Sequence, residues 1–340
     1  MSLAAPVRPT RRVLVPAAIA AAPPPLGGQV HAFEGRTMGT TWAVRLVGAA
    51  TLRREPVRQA IQSALDEVVA QMSTWEPQSD LCRFNRAAPG TWQALPDAFH
   101  EVLACAREVA RQSDGAFDPT TGALVDAWGF GPVARQAAPD GAQLAALRAR
   151  LGWRRLDLDL DPARRSVLQP GGLALDLSAI AKGFGVDLVA RRLDALGFDS
   201  YLVEVGGELR GSGVKPDGQP WWVRLDHPVD DEADDTVLAL HGLAVATSGD
   251  YRRWFEHDGA RYSHTIAPHD GQPIRHGLAS VTVVHPHCML ADAWSTALNV
   301  LGPDAGPALA NRLGLAARFL VRDGAGFVER SSAAFDALLR

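Results

Sequence analysis

The chain has 340 residues, 47% hydrophobic and 21% charged, so it can bury a large core and lacks the composition of a disordered scaffold. Lys and Arg number 34 against 38 acids, a net charge of −4, which excludes the basic footprint of a nucleic-acid or anionic-membrane binder. Cys82, Cys105 and Cys288 are too few and too scattered for a disulfide framework or a zinc knuckle and read as buried thiols.

Residues 1–30 read as a flexible Pro/Ala-rich tail and 31–335 as the folded unit, which at roughly 150 residues per domain allows two lobes. Arg11 and Arg12 precede an apolar run from Val13 to Ala22 in the manner of a secretion signal. Pro16 interrupts that run, however, Pro23 to Pro25 follow it, and no lipid-anchoring cysteine is present. With no run of about 18 apolar residues, no transmembrane segment is expected. The balance favours the cytoplasm, with export as the alternative.

A strand is predicted over Thr41–Val47 after the turn Met38-Gly39-Thr40. Val57, Ile61, Leu65, Val68 and Met72 then recur on one helical face, with Pro56 as its first residue. A second helix carries Phe99, Val102, Leu103, Ala106 and Val109 and ends before Asp114-Gly115. Strands are predicted at 156–160, 173–177, 201–205 and 221–225. The helix among them carries Phe184, Leu188, Val189, Leu193 and Leu196 and stops at Gly197. Further strands at 237–240, 243–246, 262–266 and 279–284 lead into a helix over 289–301. Helices mixed with hairpin-like strand pairs predict an α+β fold with largely antiparallel sheets rather than a doubly wound one.

Several segments could carry chemistry. Asp292 and Thr296, four apart on the last helix, put a carboxylate and a hydroxyl on one face, a pairing that suits a hard cation such as magnesium. The same residues could simply cap amides and bond a carbonyl. In Leu175-Asp176-Leu177-Ser178-Ala179-Ile180-Ala181-Lys182-Gly183 a strand runs into a helix start carrying a lysine, a place that favours a phosphate, although the spacing is not that of a Walker loop. Here the alternative is a capping aspartate and a solvated lysine. Gly115-Ala116-Phe117-Asp118-Pro119 could cradle a flat ligand or be a turn fixed by Asp118 and Pro119. Gly206-Gly207-Glu208 permits close approach of a ligand, or a bulge. His264, on the same strand face as Tyr262, could accept a proton or serve as a structural donor. No Gly-x-Ser-x-Gly elbow supports hydrolase chemistry.

Taken together, these blocks resemble the ApbE family of FAD:protein FMN transferases across roughly residues 36–302. The matching stretches are Thr37 to Thr40, Met72 to Trp75 with Ser79 to Asn85, Ala116 to Pro119, Trp128 to Gly131, Leu175 to Gly183, Gly206 to Glu208, Ala246 to Tyr251, Ser263 to Pro268 and Ala291 to Thr296. The resemblance implies an α+β, T-fold-related architecture and an enzyme that uses Mg2+ and FAD. Such an enzyme attaches FMN to a threonine or serine hydroxyl of an acceptor protein and releases AMP. It implies that Met38, Trp75, Ala116, Phe117, Asp118, Asp176, Lys182 and Ile266 bind FAD. Asp292, Thr296 and the Ala179 carbonyl would hold the metal, and His264, Lys182 and Asp292 would act in catalysis. Trp75 stands where many members have tyrosine, which keeps ring stacking and loses a hydroxyl. Ala267 stands where an aspartate is common. With no acceptor-like sequence in this chain, the target is expected to be another polypeptide. The rivals are an FAD pyrophosphatase that uses water and a non-catalytic FAD carrier.

Overall fold

The computed structural model describes residues 12–16, 27–132, 138–161, 164–228, 236–250, 254–257, 260–324 and 326–338. The first half contains β1 (Arg12–Leu14), β2 (Gln29–Thr37), β3 (Thr40–Gly48), α1 (Arg54–Met72), α2 (Asp80–Arg86), β4 (Thr91–Ala94) and α3 (Asp97–Gln112). It continues with α4 (Gly122–Ala127), α5 (Gly141–Arg148), β5 (Asp157–Leu158) and β6 (Ser166–Gln169). The second half contains α6 (Ala181–Ala195), β7 (Tyr201–Val205), β8 (Glu208–Ser212), β9 (Trp221–Arg224), β10 (Thr236–Leu240) and β11 (Leu243–Gly249). Two short hairpins follow, β12 (Trp254–His257) with β13 (Ala260–Ser263) and β14 (Ile266–Ala267) with β15 (Gln272–Pro273). The chain closes with β16 (Leu278–His285), α7 (Cys288–Leu313), β17 (Ala316–Asp323), β18 (Gly326–Ser331) and α8 (Ala333–Asp336).

The centre is an eight-stranded sheet in the order β18-β17-β16-β11-β8-β7-β3-β2, antiparallel at every neighbour. This is the expected α+β class. Alternation along the strands feeds two cores, because successive side chains leave opposite faces. Ala244, Ala246, Val281 and Val283 join a large cluster with α1, α3, α6 and α7, whereas Val245 and Val284 meet Trp221, Leu238 and Phe335 on the other face. The predicted face of α1 is the buried one, from Val57 to Met72, although Pro56 is its third residue rather than its first.

Three expectations change. Residues 12–16 are not a tail: Arg12–Leu14 pair in parallel with β10, and Leu14 is buried in the second core. Gln29 and Val30, at the end of the expected tail, already belong to β2, and residues 1–11 and 17–26 lie outside the described residues. Residues 173–177 form no strand, even though Leu173, Leu175 and Leu177 are buried. Side-chain amides stand where a neighbouring strand would. Gln169 Oε1 accepts from Leu173 N–H and its Nε2 donates to Leu173 O, while Asn85 does the same for Leu175 at 2.7 and 3.0 Å. The strand expected over 262–266 breaks at His264, between β13 and β14. Of the three thiols only Cys288 is fully buried; Cys82 and Cys105 are half-buried. Among the described residues no helix is long and apolar enough to cross a membrane.

A buried lysine between two carboxylates

Helices α6 and α7 cross at Gly183. A Cβ there would overlap the Cys288 carbonyl and lie 2.7 Å from Asp292 Cβ, so only glycine lets the helices approach this closely. The start of α7 is capped by Asp187 of α6, whose oxygens accept from Cys288 N–H (3.1 Å) and Met289 N–H (2.9 Å) and which is itself paired with Arg210. The capping role that sequence allowed for Asp292 thus falls to Asp187.

Asp292, one turn further along, is buried and accepts from Gly183 N–H at Oδ2 (2.9 Å). Gly183 is the third residue of α6, so its amide has no acceptor within the helix, and Asp292 supplies one from across the seam. Lys182 Nζ is ion-paired with Glu208 Oε1 and lies 3.9 Å from Asp292 Oδ1. Burial alone would push the Lys182 ammonium down; the charges of Asp292 and Glu208 outweigh it and raise its pKa, so the lysine is protonated. Burial pushes both carboxyls up, and Lys182 opposes the shift in each. Two carboxyl groups thus flank one ammonium, and Glu208 Oε2 has no hydrogen-bond partner. Thr296, one turn on from Asp292 along α7, has its hydroxyl 3.0 Å from Ser248 Oγ, which also lies 2.7 Å from that of Ser295.

The other expected residues differ in depth and in local partners. Met38 and Gly39 both have positive φ at the β2–β3 turn, the geometry of a tight hairpin, and Met38 Cε reaches to 3.0 Å from where a Cβ of Gly185 would be. Phe117 is buried in the main core and Ala116 is half-buried beside it in the chain. Asp118 accepts from Thr120 N–H (2.8 Å), Thr120 Oγ1 (2.6 Å) and Trp153 N–H (3.0 Å), so it does fix the local turn; burial pushes its carboxyl up. Asp176, likewise raised by burial, accepts from Ser178 N–H, and its own N–H donates to Pro119 O. The 116–122 and 173–180 segments therefore run together into α6. Trp75 is 65% exposed.

His264 and Ile266 belong to an aromatic neighbourhood. Phe130 lies edge-on to His264 (6.4 Å between centroids), Trp128 packs on Tyr262 (5.6 Å), and Trp128 Nε1 donates to Gly271 O in the β14–β15 turn. Ile266 is buried in the same cluster. The structure thus brings Lys182 and Asp292 together at the α6 start, carries Thr296 one turn beyond Asp292 on α7, and sets His264 against Phe130. Glu208 and Ser248 are the site residues that the sequence left unassigned. Their signal was present in Gly206-Gly207-Glu208 and in Thr247-Ser248, but no spacing linked either to Lys182.

Comparison with known proteins places the chain in a family. The ApbE family profile matches residues 38–319. A Haemophilus influenzae protein named FAD:protein FMN transferase is 39% identical over 317 residues, covering 91% of this chain and 92% of the relative. The Escherichia coli K12 protein of the same name is 36% identical over 92% of this chain and 90% of its own length. The apo flavinyl transferase ApbE of Pseudomonas stutzeri superimposes with a TM-score of 0.84 at 43% identity, covering 92% of this chain and 97% of that one. The flavin transferase ApbE of Vibrio cholerae has the same TM-score at 36% identity, with 91% and 99% covered. This chain belongs to the ApbE family and, like the relatives it matches over most of its length, is a transferase.

Proposed function

We propose that the chain transfers FMN from FAD to a threonine or serine hydroxyl of an acceptor protein, with magnesium, and releases AMP. The observation that carries this reading is Lys182 at the start of α6, its ammonium 3.9 Å from Asp292, in a chain whose named relatives are FAD:protein FMN transferases. Phosphoryl transfer needs charge neutralisation and alignment more than an unusual nucleophile.

A divalent ion fits the residues present. Two buried carboxyl groups flank one ammonium, and Glu208 Oε2 has no hydrogen-bond partner. Asp292, the Thr296 hydroxyl and the Ala179 carbonyl would hold it, an oxygen set suited to magnesium. When bound, the ion offsets charge on the diphosphate and on the departing phosphate. Lys182 binds the diphosphate as a point charge. Met38, Ala116, Phe117, Asp118, Asp176 and Ile266 line the flavin nucleotide, and exposed Trp75 stacks on a ring. The acceptor oxygen forms a bond to the phosphorus on the riboflavin side. The bond from that phosphorus to the bridging oxygen breaks, and AMP leaves with the electron pair. His264 takes the hydroxyl proton.

The test is to incubate the protein with FAD, magnesium and a candidate redox subunit and to weigh the products. A mass gain of one FMN on the subunit with equimolar AMP is expected. Free FMN and AMP with an unmodified subunit would make the enzyme a pyrophosphatase, and FAD bound without turnover would make it a carrier.

A further inference from the structure

Glu208, 3% exposed at the start of β8, is used by nothing in the reaction as proposed. The turn before it, Gly206-Gly207, has positive φ at both residues, and a side chain at Gly206 would come within 2.9 Å of Thr40 Cγ2 and 3.5 Å of Lys182 Cδ. The bare turn thus avoids Thr40 while the lysine stem passes it at ordinary contact distance, and the carboxylate beyond it grips the ammonium. Lys182 Nζ consequently sits against Glu208 and 3.9 Å from Asp292 Oδ1. An ammonium and a divalent cation compete for one carboxylate, because each supplies the charge the other would.

We infer that Glu208 is a positioning residue that draws Lys182 away from Asp292 and so leaves Asp292 open to the divalent ion. This rests on the assignment of Asp292, Thr296 and the Ala179 carbonyl as the cation site. Without the Glu208 charge, Asp292 is the carboxylate left beside Lys182, and the lysine closes onto it.

Magnesium titrated calorimetrically into the full chain without FAD tests this. Glu208→Gln should weaken magnesium binding by about tenfold or more, and adding Lys182→Met to it should bring affinity back to within about threefold of wild type. Glu208→Asp, which keeps the charge, should bind close to wild type. If Glu208 were itself a ligand of the ion, the double variant would stay as weak as Glu208→Gln, and the inference would fall; unchanged affinity in Glu208→Gln would also sink it. Should Glu208→Gln not fold, Lys182→Met alone decides: it should bind magnesium at least as tightly as wild type, and a tenfold loss overturns the inference. Asp292→Ala separates the two levels. If wild type binds no magnesium, or Asp292→Ala binds it equally well, the cation site itself is wrong; loss in Asp292→Ala alone, with Glu208→Gln unaffected, removes only the positioning role.

Discussion

Lys182 is carried by the 15-residue α6 and Asp292 by the part of α7 before its break at Gly302, and the two are locked to each other at Gly183, whereas His264 and Ile266 lie on or beside strands of two to four residues and Trp75 follows the end of α1. The groups proposed to meet charge are positioned by the core, whereas Trp75, proposed to meet a ring, is exposed and His264, proposed to meet a proton, is half-buried. Electrostatic stabilisation depends steeply on placement in a dry site, while stacking tolerates displacement, so the division follows the physics of each task.

Substitutions should separate the two regions. Lys182→Ala should lower the rate of flavin transfer by about 10²–10³-fold, read as mass gain on the acceptor, because it removes a fixed charge aimed at the phosphates. Gly183→Ala should both destabilise the fold, by about 1–3 kcal/mol in urea melts, and depress transfer, since the added methyl drives α6 from α7. Asn85→Ala strands the N–H and C=O of Leu175 and should cost about 1–3 kcal/mol of stability, with a smaller loss of activity through the 173–180 segment. Trp75→Ala, on the rim, should raise the KM for FAD with kcat and Tm unchanged.

The smallest effect is far from the site. Burial works against Glu329, but the Arg12 hydrogen bond and the Arg318 charge outweigh it and hold its carboxyl below the usual glutamate range. A lowered native pKa gives stability that is fully present above the unfolded value of about 4.3 and lost as pH falls through the native one. Thermal melts across that acid range should fall more steeply for wild type than for Glu329→Gln. Equal slopes would detach β1 from this account.

The sequence made α1, α3 and the start of α7 legible because their apolar spacing repeats over several turns, and it made Asp292 with Thr296 legible because one helix carries both. It could not show that 173–177 is held by side chains, since Asn85 lies 90 residues away and mimics a strand that is not there. Asp187 and Glu208 were silent for the same reason: each acts on a helix that tertiary folding, not local pattern, brings beside it. His264 was read in a strand with Tyr262, whereas the strand ends at Ser263 and the His264 ring lies edge-on to Phe130.

The amide that Gly183 gives up to Asp292 has a mechanical consequence. The oxygens assigned to the ion come from both sides of one inter-helical seam, so the ion's grip gauges how far apart the two rods stand. Occupancy must then clamp the seam, and heating in saturating magnesium should raise the melting point of the whole molecule by mass action, while any distant change that spreads the rods would register first as a lost ion.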